Sequence, residues 1–110
     1  MDLTDNEHEG HFPWKEHLFL LEKDLGIEGL IKFVLFTDEK GKWRVQAVPK
    51  SPQSFESRVG LRSEWRGLRD QALASVSQIS GTIFVHATGF IGGADSRLSA
   101  LQLAVKSLDP

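Results

Sequence analysis

The residues best suited to chemistry lie between positions 82 and 97. A β-rich run ends at His86, glycines follow at positions 89, 92 and 93, and Asp95 or Ser96 then begins a helical pattern. A strand, a glycine turn and a helix N-terminus can bring free backbone N–H groups and a positive dipole end close to an anion. Gly92, Gly93 and Arg97, the last in the first helical turn, are therefore candidate phosphate contacts. The spacing fits neither a Walker loop nor a dinucleotide fingerprint, so a tight turn without a ligand stays open as the alternative.

His86 is the second candidate, because strand ends in open α/β sheets are where functional side chains are presented. Its imidazole could donate to a phosphoryl oxygen or transfer a proton, and a satisfied structural histidine is the alternative. No pairing of carboxylates and histidines has the spacing of a two-metal site. The sequence also has no cysteine, which excludes thiolate zinc sites and cysteine nucleophiles. We therefore predict neither a metal site nor a catalytic residue in this chain.

Arginines form the third candidate group. Arg62, Arg66 and Arg69 recur along one side of a predicted helix that Ser63 caps and that Ser80-Gly81 ends. Guanidinium groups spaced in this way could hold phosphates as planar bidentate donors. The alternative is a solvated helix face on which Arg66 pairs with Asp70, four residues later.

Charge is unevenly distributed although the net charge is only −2. Residues 1–39 contain three Lys and ten Asp or Glu, whereas residues 40–70 contain eight Lys or Arg and three acids. A basic middle segment can attract an anionic ligand without making the whole protein basic. Chance clustering on a solvated surface is the alternative, since charges that are close in sequence need not be close in space.

Length and composition predict one globular domain. Residues 1–10 read as a disordered lead with almost nothing to bury, and residues 11–110 as a single domain. No apolar run approaches the roughly 20 residues that a membrane span needs, so no membrane partner is expected. The first ten residues resemble neither a secretory signal nor a transit peptide.

The elements that must position these residues follow from hydrophobic periodicity. We predict an α+β (or small α/β) fold with a single layer of about three strands flanked by three helices, in the order α-β-β-α-β-α. The first helix begins at Pro13, and the strands span about 30–37, 43–48 and 82–87. The first two strands form a hairpin around a glycine turn at residues 38–42, and the second strand places Arg44 and Gln46 on the face opposite Trp43, Val45 and Ala47. A helix between the second and third strands would allow them to run parallel with a right-handed crossover. The predicted buried stripes are Trp14, Leu18, Leu21 and Leu25 in the first helix, Trp65, Leu68, Ala72, Leu73 and Val76 in the second, and Leu98, Leu101, Val105 and Leu108 in the third.

Several blocks of sequence, taken together and in order, resemble a known family. They are FPWKEHL (12–18), WRVQAVPK (43–50), SFESR (54–58), WRGLRD (65–70) and FVHATGFIGG (84–93). The sequence is similar to the C-terminal region of the melanocyte-proliferating-gene exonuclease family, which itself resembles a branch of the DHH phosphoesterases. The resemblance covers nearly everything from Phe12 to Leu108.

The resemblance implies a metal-dependent phosphodiesterase that acts as a 3′–5′ RNA exonuclease. In such enzymes an N-terminal part carries metal-binding His and Asp motifs, including an Asp-His-His triplet, and a C-terminal part closes over the substrate. This sequence contains no such triplet. We therefore expect the substrate-side domain alone, without a cofactor of its own, while manganese or another divalent metal is implied for full-length family members.

By resemblance, the substrate contacts are Arg66, Arg69, His86, Gly92 and Gly93, because arginine forks and exposed N–H groups neutralise phosphates. Aromatic side chains such as Phe55, Trp65 and Phe90 could stack a base, although core packing is the favoured fate of Trp65.

The main functional hypothesis is thus a domain that binds nucleic acid or nucleotide phosphate for a metal-dependent phosphoesterase. Its expected partners are an N-terminal catalytic domain or chain and RNA or a nucleotide. The alternative is a non-catalytic interaction domain that docks a separate catalytic chain or self-associates, which predicts an exposed apolar patch. The absence of cysteine is compatible with a cytoplasmic location, which we expect, and the resemblance implies nuclear or mitochondrial members in eukaryotes.

Overall fold

The computed structural model describes residues 14–109, which form three α-helices and four strands. The helices are α1 (Trp14–Leu25), α2 (Asp70–Ser77) and α3 (Arg97–Leu108), with a 3₁₀ helix at Ser63–Trp65. The strands are β1 (Phe33–Thr37), β2 (Trp43–Ala47), β3 (Thr82–Val85) and β4 (Ile91–Ala94). The α+β class and the order of elements are confirmed, apart from the additional strand β4. The predicted lead over residues 1–10 and the helix start at Pro13 lie outside the described residues.

The four strands form one sheet in the order β1-β2-β4-β3, and every neighbouring pair is antiparallel. The predicted β1–β2 hairpin is confirmed, with Gly41 at a positive φ in its turn. β2 and β3 run in the same direction, as predicted for parallel strands, but they are not neighbours because β4 lies between them.

β4 was missed because its sequence begins Ile-Gly-Gly, and glycine is a poor strand former that is typical of turns. Gly92 and Gly93 are buried within this strand, so the predicted glycine turn at these positions is wrong. The turn lies earlier, at residues 86–90, where Gly89 adopts a φ of 75° and donates its N–H to the carbonyl of His86. β3 and β4 are thus a second hairpin instead of a strand leading directly into a helix.

The two faces of the sheet are covered differently. One face packs against α2, α3 and the 3₁₀ helix, with Leu73, Trp65 and Leu103 in its main core. On the other face Leu18 of α1 packs against Val34 and Val48, in a smaller cluster that includes no residue of β3 or β4. Side chains on that second face of β2, β4 and β3 therefore lie outside both hydrophobic clusters.

The predicted stripe of the third helix is wrong, and those of the first and second are confirmed only in part: in the second, Trp65 and Leu73 are buried but Ala72 and Val76 are exposed. In α1, Leu18 and Glu22 are buried, while Leu21 and Leu25 are exposed. In α3 the buried residues are Ser99, Ala100, Leu103 and Ala104, and the predicted stripe points to solvent. Three of these four inner residues are small, so most of the bulkier apolar residues of α3 do not mark its inner face.

Candidate functional site

A group of charged and aromatic side chains lies on the less covered face of the sheet. Arg44 of β2 and Phe84 of β3 are both register partners of Gly93 in β4, so the three positions form one row across the sheet. An isolated bridge pairs Arg69 with Phe84 beyond the edge of β3. Arg44, Arg69 and Phe84 are called the Arg–Phe cluster below.

Both guanidinium groups approach the same aromatic ring. The Cζ atom of Arg44 is 4.9 Å from the Phe84 ring centroid, and that of Arg69 is 5.6 Å from it. These separations are in the range of cation–π attraction. Gly93 makes the arrangement possible, since a Cβ atom there would lie 2.7 Å from Cε1 of Phe84 and would clash with Nη1 of Arg44. Gly93 therefore has a packing role beneath the cluster.

The two arginines differ in how far their charge is compensated. Nη2 of Arg44 lies 2.9 Å from Oδ2 of Asp38, and the Arg44 side chain is 26% exposed. Asp38 is fixed in the β1–β2 turn, because its Oδ1 accepts the backbone N–H groups of Lys40 and Lys42 at 2.9 and 3.0 Å. Within residues 14–109, Arg69 is exposed and forms no ion pair. The cluster therefore retains guanidinium donors that could receive an anion.

Arg66 lies against the turn of the β3–β4 hairpin. Its Nε donates to the Leu61 carbonyl at 3.0 Å, and a Cβ atom at Gly89 would lie 2.8 Å from its Cζ. Leu61 in turn donates its backbone N–H to the Gly89 carbonyl. Arg66 thus braces the turn, although the residue as a whole is exposed to solvent.

His86 is exposed at the start of the same turn. Its Nδ1 accepts the backbone N–H of Thr88 at 3.1 Å, so in the neutral ring the proton is on Nε2. The ring contacts Phe90 edge-to-face at 4.8 Å between centroids. These contacts fix the ring orientation and leave Nε2 as the donor that could meet a phosphoryl oxygen.

The predicted row of arginines on one helix does not exist. Arg62 precedes the 3₁₀ helix, Arg66 follows it and Arg69 is the residue before α2, which begins only at Asp70. Among the described residues Arg66 and Asp70 form no ion pair, so the alternative pairing is also wrong. The prediction failed because α2 is shorter than the periodicity indicated, and the residues before it form one turn of 3₁₀ helix and an extended segment. Within α2, Leu73 is buried but Val76 is exposed.

Arg62 is used elsewhere in the fold. Its Nη1 donates to the carbonyls of Lys106 and Asp109 at the end of α3, and its Nη2 pairs with Glu64. These residues line a hollow of about 320 Å³ between the 3₁₀ helix, α2 and α3. The hollow belongs to the α2–α3 side of the sheet, and the guanidinium that lines it is already paired. We therefore do not take it as the candidate site.

Arg97 is separated from the other predicted contacts. It begins α3, which packs on the opposite face of the sheet from Arg44. Ser96 caps this helix as predicted, accepting the backbone N–H of Ser99 at 3.1 Å. Asp95 instead pairs with Lys42 at 2.8 Å, and this hydrogen bond raises the pKa of Lys42. The structure therefore brings Arg66, Arg69 and His86 around the outer edge of β3 but not Arg97.

The aromatic predictions have different outcomes. Trp65 is buried at 2% exposure in the main core, which confirms core packing. Phe55 is fully exposed in the loop after β2, and Phe90 is partly exposed against His86. Phe84 was not predicted as an aromatic contact, because its place in a β-rich run resembled that of a core residue.

Arg44 was also missed as a functional residue. The alternation of β2 did place Arg44 and Gln46 on the face opposite Trp43, Val45 and Ala47, and the register confirms this. What the pattern could not show is that Gly93 and Phe84 come to lie beside Arg44, because that depends on the unpredicted strand β4. A basic residue on the polar face of a strand was the available signal.

Within residues 14–109, no three His, Asp or Glu side chains are grouped so that they could hold a metal ion. No helix in that range is long and apolar enough to cross a membrane.

Comparison with known proteins places this geometry in a family context. Residues 6–108 match the model of the MYG1 exonuclease family, described as an uncharacterised protein family, UPF0160. The sequence is 57% identical over 99 residues to the MYG1 exonuclease of Bos taurus and 56% identical over 99 residues to that of Homo sapiens. It is 52% identical over 97 residues to the MYG1 protein of Dictyostelium discoideum.

These matches cover most of this chain but a small part of each relative. They include 90% of this chain and 26% of the Bos taurus and Homo sapiens proteins, and 88% of this chain and 30% of the Dictyostelium discoideum protein. No solved structure matches the chain.

Proposed function

Because the chain belongs to the MYG1 exonuclease family, we propose that it is a domain that holds the phosphate backbone of a nucleic acid or nucleotide for a nuclease, with the Arg–Phe cluster as its contact surface. The observation that carries this proposal is the placement of two guanidinium groups around one phenyl ring, outside both hydrophobic clusters of the described residues.

The cluster has the chemistry that a single strand requires. A guanidinium group offers a planar pair of N–H donors that matches two phosphate oxygens, and charge-assisted hydrogen bonds of this kind are the strong ones. An aromatic ring beside the cations can stack a base without selecting its identity. Arg69 has no carboxylate partner among the described residues, so a phosphate need not displace one to reach it.

The position of the β3–β4 turn supports a wider contact surface. Arg69 lies beside Phe84, and His86 follows two residues later in the same strand direction. We include His86 as a hydrogen-bond donor through Nε2 and Arg66 as a brace for the turn that presents it. Gly92 and Gly93 contribute space instead of free N–H groups, since β4 is paired on both sides.

The described residues do not fit a divalent-metal site, because they contain no suitable group of three His, Asp or Glu side chains. The chain spans only 26–30% of the length of the relatives compared above, and we propose that an N-terminal catalytic domain or chain supplies the cleavage chemistry and is the domain's partner.

Binding of a labelled single-stranded oligouridylate, measured by fluorescence anisotropy in low salt, tests the proposal. Arg69→Gln removes one charge from the cluster, and Arg97→Gln removes one from the opposite side of the sheet as a matched control. We expect Arg69→Gln to weaken binding roughly tenfold and Arg97→Gln to change it less than about twofold. Absence of binding by the wild-type chain, or equal binding by all three proteins, would refute the assignment.

A further inference from the structure

Helix α3 is apolar on two opposite sides. Its inner side packs Ala100, Leu103 and Ala104 into the main core. Its other side exposes Leu98, Leu101, Val105 and Leu108, which are 64%, 37%, 55% and 51% exposed and are called the outer stripe. A surface helix normally has a single apolar stripe that faces the core, with polar residues on its opposite side. The outer stripe therefore indicates a surface that is covered in the functional protein.

The spacing of the outer stripe is that of a helix–helix seam. Its residues follow each other at intervals of three, four and three, which is the a/d pattern of a two-helix interface. This series reads the same in both directions. If a second α3 runs antiparallel to the first, Leu98 faces Leu108 of the second copy and Leu101 faces Val105. A surface that is complementary to itself is what a two-fold symmetric dimer requires.

The charges at the helix ends agree with the antiparallel direction. Arg97 begins α3 and Asp109 follows its last residue, at equal distances from the centre of the stripe. An antiparallel pair brings Asp109 of one copy to the level of Arg97 and the positive helix N-terminus of the other. A parallel pair would instead place like charges and like helix ends side by side.

We propose that two copies of this chain associate through the outer stripes of their α3 helices, which pair antiparallel. The occupant of this surface is thus a second copy, and the contact involves the opposite side of the sheet from the Arg–Phe cluster. The proposal goes beyond the proposed function and does not depend on it. A four-residue seam is small, so the dimer is expected to form at micromolar or higher concentration.

Sedimentation equilibrium of the whole chain tests the association. The double variant Leu101→Glu/Val105→Glu places charges in the centre of the stripe, where both side chains are already exposed and the core is not disturbed. Leu20→Glu/Leu21→Glu makes the same change at two exposed leucines of α1. We expect a dimer at about 100 µM for the wild type and the α1 variant, and a dissociation constant raised at least roughly tenfold for the α3 variant.

Cysteine cross-linking tests the direction, because the natural sequence contains no cysteine to interfere. Leu98→Cys and Leu108→Cys proteins are oxidised separately and as a mixture. Antiparallel pairing predicts a disulfide dimer only in the mixture, since each position faces the other one. Cross-linking of each single variant with itself would show a parallel pair and overturn the proposal.

A wild-type chain that is monomeric at about 100 µM would also overturn it. So would equal loss of association in the α1 and α3 variants. Circular dichroism of every variant checks that the fold is retained, so that a monomeric α3 variant reports on the seam alone.

Discussion

Among the described residues, arginines lie over the rings of two phenylalanines, Phe19 and Phe84, with different consequences. Arg58 lies 4.6 Å from the ring centroid of Phe19, and Arg44 lies 4.9 Å from that of Phe84. Arg58 is 9% exposed and forms two hydrogen bonds of 2.7 Å to the buried Glu22, with another to the Ile31 carbonyl. Arg44 is more exposed and has one carboxylate contact, while Arg69 on the same ring has none among the described residues.

The difference shows that an arginine–aromatic contact does not by itself indicate a function. Where the carboxylate is buried and bidentate, the guanidinium joins α1 to the loop after β2 and has little left to offer a ligand. At the more exposed Phe84 ring, Arg44 and Arg69 keep N–H donors available for an anion. Counting satisfied donors therefore separates a structural arginine from a binding one. The predictions below test this separation.

Glu22→Gln has the largest expected effect, on stability. It leaves the buried Arg58 guanidinium without a carboxylate, which we expect to lower the free energy of unfolding by about 3–5 kcal/mol. Asp38→Asn makes the same change beside Arg44, at a partly exposed pair, and is expected to cost less than about 1 kcal/mol. Urea unfolding followed by tryptophan fluorescence measures both. Similar losses in the two variants would remove the distinction between the two stacks.

Acidic pH should selectively weaken the buried ion pair between Arg58 and Glu22. The hydrogen bonds from Arg58 hold the pKa of Glu22 below its usual range, although burial opposes this. A carboxylate whose pKa is depressed by folding contributes stability that is present above its unfolded-state pKa and is lost as the pH falls through the folded value. The stability difference between wild type and Glu22→Gln should therefore be constant above about pH 5 and shrink below about pH 4. A difference that stays constant across this range would contradict the role of the ionised pair.

The adjacent glycines of β4 provide the next comparison. A Cβ atom at Gly92 would lie 3.0 Å from Cδ1 of Leu61 and 3.1 Å from the Phe84 carbonyl oxygen, on the core side. Gly92→Ala should therefore destabilise the fold by about 1–3 kcal/mol. Gly93→Ala should act mainly on oligonucleotide binding, because the atoms it meets are movable parts of the Arg–Phe cluster. Unfolding curves and anisotropy titrations of both variants would show whether the two effects separate in this way.

Arg66→Ala has the smallest expected effect. It removes the hydrogen bond to the Leu61 carbonyl and the guanidinium that lies against Gly89, at a cost of about 0.5–1.5 kcal/mol. Faster amide hydrogen exchange in residues 86–90, without a change elsewhere, is the expected signature. Unchanged exchange there would mean that Arg66 does not brace the turn and, like Arg44 and Arg69, keeps donors available for an anion.

The sequence predicted the α+β class, the β1–β2 hairpin and the faces of β2, because strong alternation and a glycine turn are local signals. It failed at β4, where two glycines satisfy a packing requirement set by Leu61, Arg44 and Phe84. Those neighbours are distant in sequence, so no local pattern could reveal them. The same limit applies to α3, whose inner face combines Leu103 with small side chains, while its other bulkier apolar residues lie outside.

The candidate site was predicted in part. Arg66, Arg69 and His86 were predicted as contacts from the sequence, and the structure places Arg69 beside β3 and Arg66 against the turn that His86 begins. Arg44 and Phe84 were missed because their meeting depends on the strand order. Whether any of these residues contacts a substrate stays a prediction.

The salt dependence of oligonucleotide binding tests the central claim most directly. Each phosphate contact to a single strand contributes about 0.7 to the slope of log binding constant against log salt concentration. For the double variant Arg44→Gln/Arg69→Gln we predict weaker binding and a slope that is smaller in magnitude by about 1.4 than that of the wild-type chain. An unchanged slope would contradict the account, because the Arg–Phe cluster would then make no contact with phosphate.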